Sequence, residues 1–214
     1  MKKTRECFLS VLILVMLLAL SLGTFKAKAA TPEEIEDSIV AGLEWLAAQQ
    51  NPDGSWGPGY DYMLVGYTGM AVVKFEERAI DLGIDPLNPA YEYYDQVRDG
   101  LDFIFSKAEI VSIFVQPAGN PDSDDDGIGV RFFGDYSHYS YATGIATMAI
   151  AASTHPEMTV DVAGSPVDGW TYLEVVDDTV DYMAFGQNDA DWPRGGWGYW
   201  ENYGWSDNSN TGYI

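Results

Sequence analysis

The sequence predicts an all-α protein assembled from helix–loop–helix repeats. Three observations carry this expectation. Apolar residues recur at three- and four-residue spacings in successive segments, each marking one face of a helix. A Thr-Gly pair stands at the head of every second segment. No sustained alternation of apolar and polar residues, the mark of a half-buried strand, is found, and residues 110–115 form the one strand-like run.

Residues 1–30 read as a secretory signal. Met1-Lys2-Lys3-Thr4-Arg5 is a basic start, residues 8–22 are almost wholly apolar, and Ala27-Lys28-Ala29 is a small-x-small cleavage site. The apolar run is shorter than the ~20 residues a spanning helix wants, which favours cleavage over a retained anchor and leaves no membrane span afterwards. Cys7 precedes the apolar run, so it is not at a lipoprotein processing site. The expected location is extracytoplasmic, secreted or at the cell surface.

Five of the 11 basic and one of the 33 acidic residues lie within 1–30, leaving 6 basic and 32 acidic residues, a net −26 against −22 for the whole chain. A surface of this sign repels nucleic acid and anionic lipid and suits cations. Removal of Cys7 also excludes disulfides and thiolate metal sites. The remaining 184 residues suffice for one domain with a core, and the chain's 7 Trp, 14 Tyr and 9 Phe point to a globular one.

Thr31-Pro32-Glu33-Glu34 opens the first helix with a capping box and a proline at its first position. Ile35, Ile39, Leu43 and Leu46 form its apolar stripe, and Pro52 ends it. A second helix spans 67–82 and is stopped by Gly83 and Pro86. Asn88-Pro89 starts a third, with Tyr94, Val97, Leu101 and Ile104 on one face. After a polar, acidic loop, residues 141–152 form a fourth, very apolar helix closed by His155-Pro156. Residues 171–186 form a fifth, its stripe read as Leu173, Val176, Val180 and Met183.

The odd helices align as Gly42-Leu43-Glu44-Trp45-Leu46, Gly100-Leu101-Asp102-Phe103-Ile104 and Thr179-Val180-Asp181-Tyr182-Met183. The even helices align at Thr68-Gly69, Thr143-Gly144 and Thr211-Gly212. A glycine at the start of a helix is costly for helix propensity, so its recurrence predicts close backbone packing between inner helices. The third copy breaks off at Ile214, which predicts the N-terminal part of a longer array, truncated at its C-terminus; the other reading is an open arc completed by another chain.

Gly42, Trp45, Leu46, Gln50, Gly54 and Trp56 have the spacing of Gly-x-x-aromatic-aliphatic-x-x-x-Gln-x-x-x-Gly-x-Trp. This resembles the QW motif of the terpenoid cyclase and protein prenyltransferase superfamily, with Ala41 where a basic residue often stands. The third copy repeats it as Tyr182, Met183, Gln187 and, after a longer loop, Gly195-Gly196-Trp197; the second has Ala108 in place of the Gln. The resemblance covers residues 31–214 and implies an α/α toroid of about two and a half units, in which the Gln ties helix ends to the turn while the Trp stacks against them.

Asp122-Ser123-Asp124-Asp125-Asp126-Gly127 is the most reactive-looking stretch. It formally matches the DxDD signature of squalene-hopene cyclases, which would make Asp124 a catalytic acid supported by Asp122 and Asp125. Its glycine-rich surroundings place it in a surface loop rather than at a helix start lining an apolar cavity. The same residues read as D-x-D-x-D-G, the first half of a calcium loop, with Asp122, Asp124 and Asp126 as hard oxygen ligands. Phe133 occupies the twelfth position, so a complete EF-hand is excluded, and Asp135, a carbonyl or a distant carboxylate would complete the site. A solvated acidic loop is the bland alternative. Zinc of the prenyltransferase type is not expected, because it needs a Cys and the processed chain has none. His138 and His155 are isolated.

Trp192, Trp197, Tyr199, Trp200, Tyr203 and Trp205 crowd one loop. The motif accounts for Trp197; Trp192, Tyr199, Trp200 and Trp205 are either internal bracing or a platform for sugar or apolar ligands. The sequence as a whole suggests an exported, non-catalytic module that binds a small molecule, glycan or protein. The alternatives are a cyclase-like enzyme acting on an isoprenoid, and a toroidal polysaccharide-active enzyme.

Overall fold

The structure, a computed structural model, describes residues 29–58, 63–133 and 138–214. Most of residues 1–30, read from sequence as a secretory signal, and the candidate ligand Asp135 lie outside the described residues. The fold is predominantly helical. Its elements are α1 (Pro32–Ala47), α2 (Leu64–Asp81), α3 (Tyr94–Ser106), β1 (Ala108–Ser112), β2 (Ile128–Phe132), α4 (Tyr139–Ala152), α5 (Tyr172–Gly186) and α6 (Asn208–Tyr213). Among the described residues, no helix is long and apolar enough to cross a membrane.

The chain divides into two compact units, Met1–Ile39 and Val40–Ile214. In the first, Thr31 and Glu34 form the expected capping box: the Thr31 amide donates to Glu34 Oε2 at 2.7 Å and the Glu34 amide to Thr31 Oγ1 at 3.2 Å. Ile35 and Ile39 are exposed, contrary to the stripe read from sequence, because no described residue of that unit covers them. In the second unit Leu43 is buried and Leu46 partly so.

Three further expectations need correction. α3 begins at Tyr94 rather than near Asn88, because Asp85 and Asn88 accept the amides two residues on and hold the chain in turns. Of the stripe read for α5, Met183 is buried and Val176 packs partly buried against the core, but Leu173 and Val180 stay exposed, and Tyr172, Val175, Thr179, Tyr182 and Phe185 are buried as well. Two tyrosines decide the rotation of the helix: the Tyr172 ring lies 4.8 Å from Phe105, and the Tyr182 hydroxyl donates to Glu201 Oε2 at 3.0 Å. Finally, the fold is not wholly helical. β1 and β2 pair antiparallel from Ala108↔Phe132 to Ser112↔Ile128, with the acidic stretch in their long connection. Five-residue strands, one containing Gly129, are too short for alternation to reveal.

α2 approaches α4 closely at Gly69 and α4 approaches α6 at Gly144, whereas a Cβ on Gly212 would meet nothing within 4 Å. A Cβ on Gly69 would lie 2.8 Å from Ile145 Cγ2 and 3.0 Å from the Ile145 carbonyl oxygen, and one on Gly144 would strike the Tyr213 carbonyl. Gly144→Ala should therefore destabilise by about 1–3 kcal/mol, the usual penalty of overpacking. Urea unfolding measures this, and a value within the spread of ordinary surface substitutions would contradict the close approach.

The same hydrogen bonds recur along the chain. The indole N–H of Trp56 donates to the Leu46 carbonyl, and that of Trp197 to the Met183 carbonyl, both at 2.8 Å. Gln50 Nε2 donates to the Gly54 carbonyl and Gln187 Nε2 to the Gly195 carbonyl, both at 3.1 Å. The amides of Trp56, Phe132 and Trp197 donate to the hydroxyls of Thr68, Thr143 and Thr211. The Gln50 amide donates to the Ala47 carbonyl at the end of α1, while its side chain ties the turn to another helix, its second bond going to the Gln96 carbonyl on α3. The indole takes the Leu46 carbonyl of α1, because Gly54, at φ +86°, turns the chain back over the helix end.

Candidate metal centre

The hairpin connection is held against α5 by backbone packing and by one carboxylate. Gly129 of β2 lies on Tyr182, where an added Cβ would sit 3.0–3.1 Å from Tyr182 backbone and Cβ atoms. That contact carries residues 122–127 over the inward-turned face of α5. Asp181, only 3% exposed, then accepts both the amide (2.8 Å) and the hydroxyl (3.1 Å) of Ser123 through Oδ2. At the other end of the connection, Gln116 Nε2 donates to the Phe185 carbonyl at 2.8 Å.

Within the loop the aspartates order their own backbone. Asp122 Oδ2 accepts the Gly127 amide at 2.8 Å, Asp124 Oδ1 the Asp126 amide at 3.2 Å, and Asp126 Oδ1 the Ile128 amide at 2.9 Å. Asp125 has φ +65° and turns its carboxylate to Asn120 Nδ2, 3.0 Å away. The three expected ligands and Asp125 thus separate: Asp122, Asp124 and Asp126 converge with α5, and Asp125 does not.

Carboxylate oxygens of Asp122, Asp124 and Asp181 lie within 4.8 Å of one another, as do those of Asp124, Asp126 and Asp178. Asp178 is 7% exposed, and no hydrogen bond reaches it among the described residues. Burial, then the charges of Asp126, Asp124, Asp181 and Asp177, push its carboxyl up to about 7. Asp122 Oδ1 is buried without a partner. A cleft of about 200 Å³ opens over Asp124, Asp126 and Asp178 and is completed by Trp170, Glu174 and Asp177. Clustered carboxylates with oxygens left unsatisfied fit a hard divalent cation, which takes 6–8 oxygens and tolerates irregular geometry. They fit zinc poorly, since no nitrogen or sulfur ligand is among them.

The cyclase reading of Asp122, Asp124 and Asp125 meets a different environment from the one it needs. Asp124 is exposed, and the cleft beside it is lined by carboxylates and one indole rather than by an apolar wall. The aromatic loop is divided too. Trp200 and Tyr203 have ring centroids 3.9 Å apart, Trp205 lies 6.4 Å from Tyr203, and Tyr199 packs on His138 at 4.6 Å. Trp192 is 74% exposed and joins none of these pairs. Trp45, the motif's first aromatic, is 64% exposed and borders an apolar groove with Tyr67 and Met70, whereas its counterparts Phe103 and Tyr182 are buried.

Three acidic residues of consequence were missed from sequence. Asp178 and Asp181, three apart on α5 and flanked by the buried Val175 and Tyr182, carry a readable signal: two carboxylates on an apolar helix face. Glu76 carries none, because Lys74-Phe75-Glu76-Glu77-Arg78 reads as a charged surface turn. Lys74 and Glu77 do pair there at 2.6 Å, but Glu76 faces inward with neither carboxylate oxygen hydrogen-bonded.

Comparison with protein-family models, with curated proteins and with solved structures finds no match to this chain.

Proposed function

We propose that this chain is an exported α/α-toroid repeat domain that binds Ca²⁺ and works outside the membrane as a non-catalytic ligand- or partner-binding module. The observation that carries the calcium reading is the convergence of Asp122, Asp124 and Asp126 from the loop with Asp178 and Asp181 from α5. The cation neutralises carboxylates from two segments far apart in sequence and so fastens the hairpin connection to the helix. A structural role follows from the chemistry: calcium neither changes redox state nor needs an apolar cavity. The toroid reading is supported by the recurring indole, glutamine and threonine bonds and by the glycine contacts between inner helices. Export is supported by the basic, apolar and small-residue pattern of residues 1–30. A cyclase-like enzyme is the weaker reading, given the exposed Asp124 and its polar cleft.

Thermal unfolding tests the calcium reading. Free Ca²⁺ at a hundredfold excess over Kd adds about 2.7 kcal/mol to a one-site protein, an upward shift of about 5–10 °C in Tm at this size. Chelator should reverse the shift and Asp124→Ala should abolish it. A melting curve unmoved by millimolar calcium would sink the proposal.

A further inference from the structure

The geometry points to a centre for two divalent cations, bridged by the carboxylate of Asp124. The inference rests on the calcium reading above and deepens it. The acidic oxygens form two sets of three, and Asp124 is the only member common to both; Asp122 and Asp126, two residues either side of it, fall into different sets. In a single-ion loop the three alternate aspartates would serve one cation together.

Each set has its own unmet demand. In the first, Asp122 Oδ1 is buried without a donor, and Asp181, almost wholly buried, has only Oδ2 occupied by Ser123. In the second, Asp178 is more than nine-tenths buried, receives no hydrogen bond among the described residues, and opens onto the cleft shared with Asp124 and Asp126. Loop turns explain Asp122 Oδ2, Asp124 Oδ1 and Asp126 Oδ1, which hold backbone amides. They leave unexplained the buried Oδ1 of Asp122 and the carboxylate of Asp178, which no hydrogen bond reaches among the described residues, and the two belong to separate sets.

Charge leads to the same number. Five carboxylates make up the two sets, and Glu174 and Asp177 stand at the rim of the second. One divalent cation in either set leaves the carboxylates of the other as close like charges around a buried aspartate, Asp178 or Asp181. A second cation removes that repulsion, and Asp124, with two carboxylate oxygens, can face one cation with each.

Native mass spectrometry of the full chain titrated with Ca²⁺, alongside calorimetric titration, reads the stoichiometry directly. Two Ca²⁺ per chain are expected, falling to one in Asp122→Asn and to one in Asp178→Asn. One Ca²⁺ per wild-type chain would overturn the two-cation centre while leaving the calcium reading standing; none would overturn both. Two Ca²⁺ retained in both variants would overturn the assignment of the sets. If a variant fails to fold, judged by circular dichroism, the wild-type stoichiometry still decides.

Discussion

Replacing Glu76 by Gln should make the protein far less sensitive to alkali, with a difference in stability reaching about 6 kcal/mol across the pH range. Glu76 is 0% exposed, and neither of its oxygens has a partner. Burial first, and then the charge of Glu77, push its carboxyl up to about 9 from an ordinary 4.5. The sign follows from proton counts. Between pH 4.5 and 9 the unfolded chain has lost this proton and the folded chain keeps it, so stability falls by about 1.4 kcal/mol per pH unit over that window. Below pH 4.5 both states are protonated and the residue adds no pH dependence. Gln copies the neutral form and cannot ionise, so the variant should match the parent near pH 4 and exceed it by about 3 kcal/mol at pH 7. Urea unfolding at pH 5, 7 and 9 measures the difference. Parallel pH profiles for parent and variant would show that Glu76 ionises freely, and hence that it is solvated.

Trp56→Ala should cost about 3–5 kcal/mol, the range for a large buried aromatic. Trp56 is 4% exposed, lies 5.9 Å from the Phe75 ring, and donates its N–H to the last turn of α1. Truncation empties that volume and strips the Leu46 carbonyl of its donor. Trp56→Phe separates the two effects, since it keeps much of the packing and should lose about 1 kcal/mol for the bond. Trp197→Ala should cost less, because Trp197 makes the same bond to Met183 but is only half-buried. Equal losses at Trp56 and Trp197, or a Trp56 loss within the roughly 0.5 kcal/mol of surface changes, would mean that the indole is not a brace.

The helices and their order were legible because their apolar spacing is local: α2, α4 and the caps of α1 and α5 fall close to where the pattern puts them. Two of the three Thr-Gly pairs announced a tight contact, α2 with α4 at Gly69 and α4 with α6 at Gly144, while Gly212 has open space around it. What failed was whatever depends on distant partners. The rotation of α5 is fixed by Phe105 and Glu201, neither of which is near it in sequence, so Leu173 and Val180 were read as buried although only Val176 and Met183 of that stripe face the core. The same error concealed Asp178 and Asp181, leaving only the loop half of the acidic cluster visible. Glu76 was hidden by neighbours that are themselves solvated, Lys74 and Glu77. The hairpin escaped because β2 acquires its character from pairing with β1 rather than from its own five residues.

The threonine clasps are indifferent to how much chain they enclose. From the donated amide to the accepting hydroxyl is 12 residues at Trp56–Thr68, 11 at Phe132–Thr143 and 14 at Trp197–Thr211. The indole bonds differ likewise, spanning 10 residues at Leu46–Trp56 and 14 at Met183–Trp197. The bond accommodates enclosed segments of different length, because lengthening a surface loop adds little closure entropy. The acidic hairpin lies outside these clasps, between the end of α3 and the Phe132 amide, and it is tied instead to α5 through Gly129, Gln116 and Asp181.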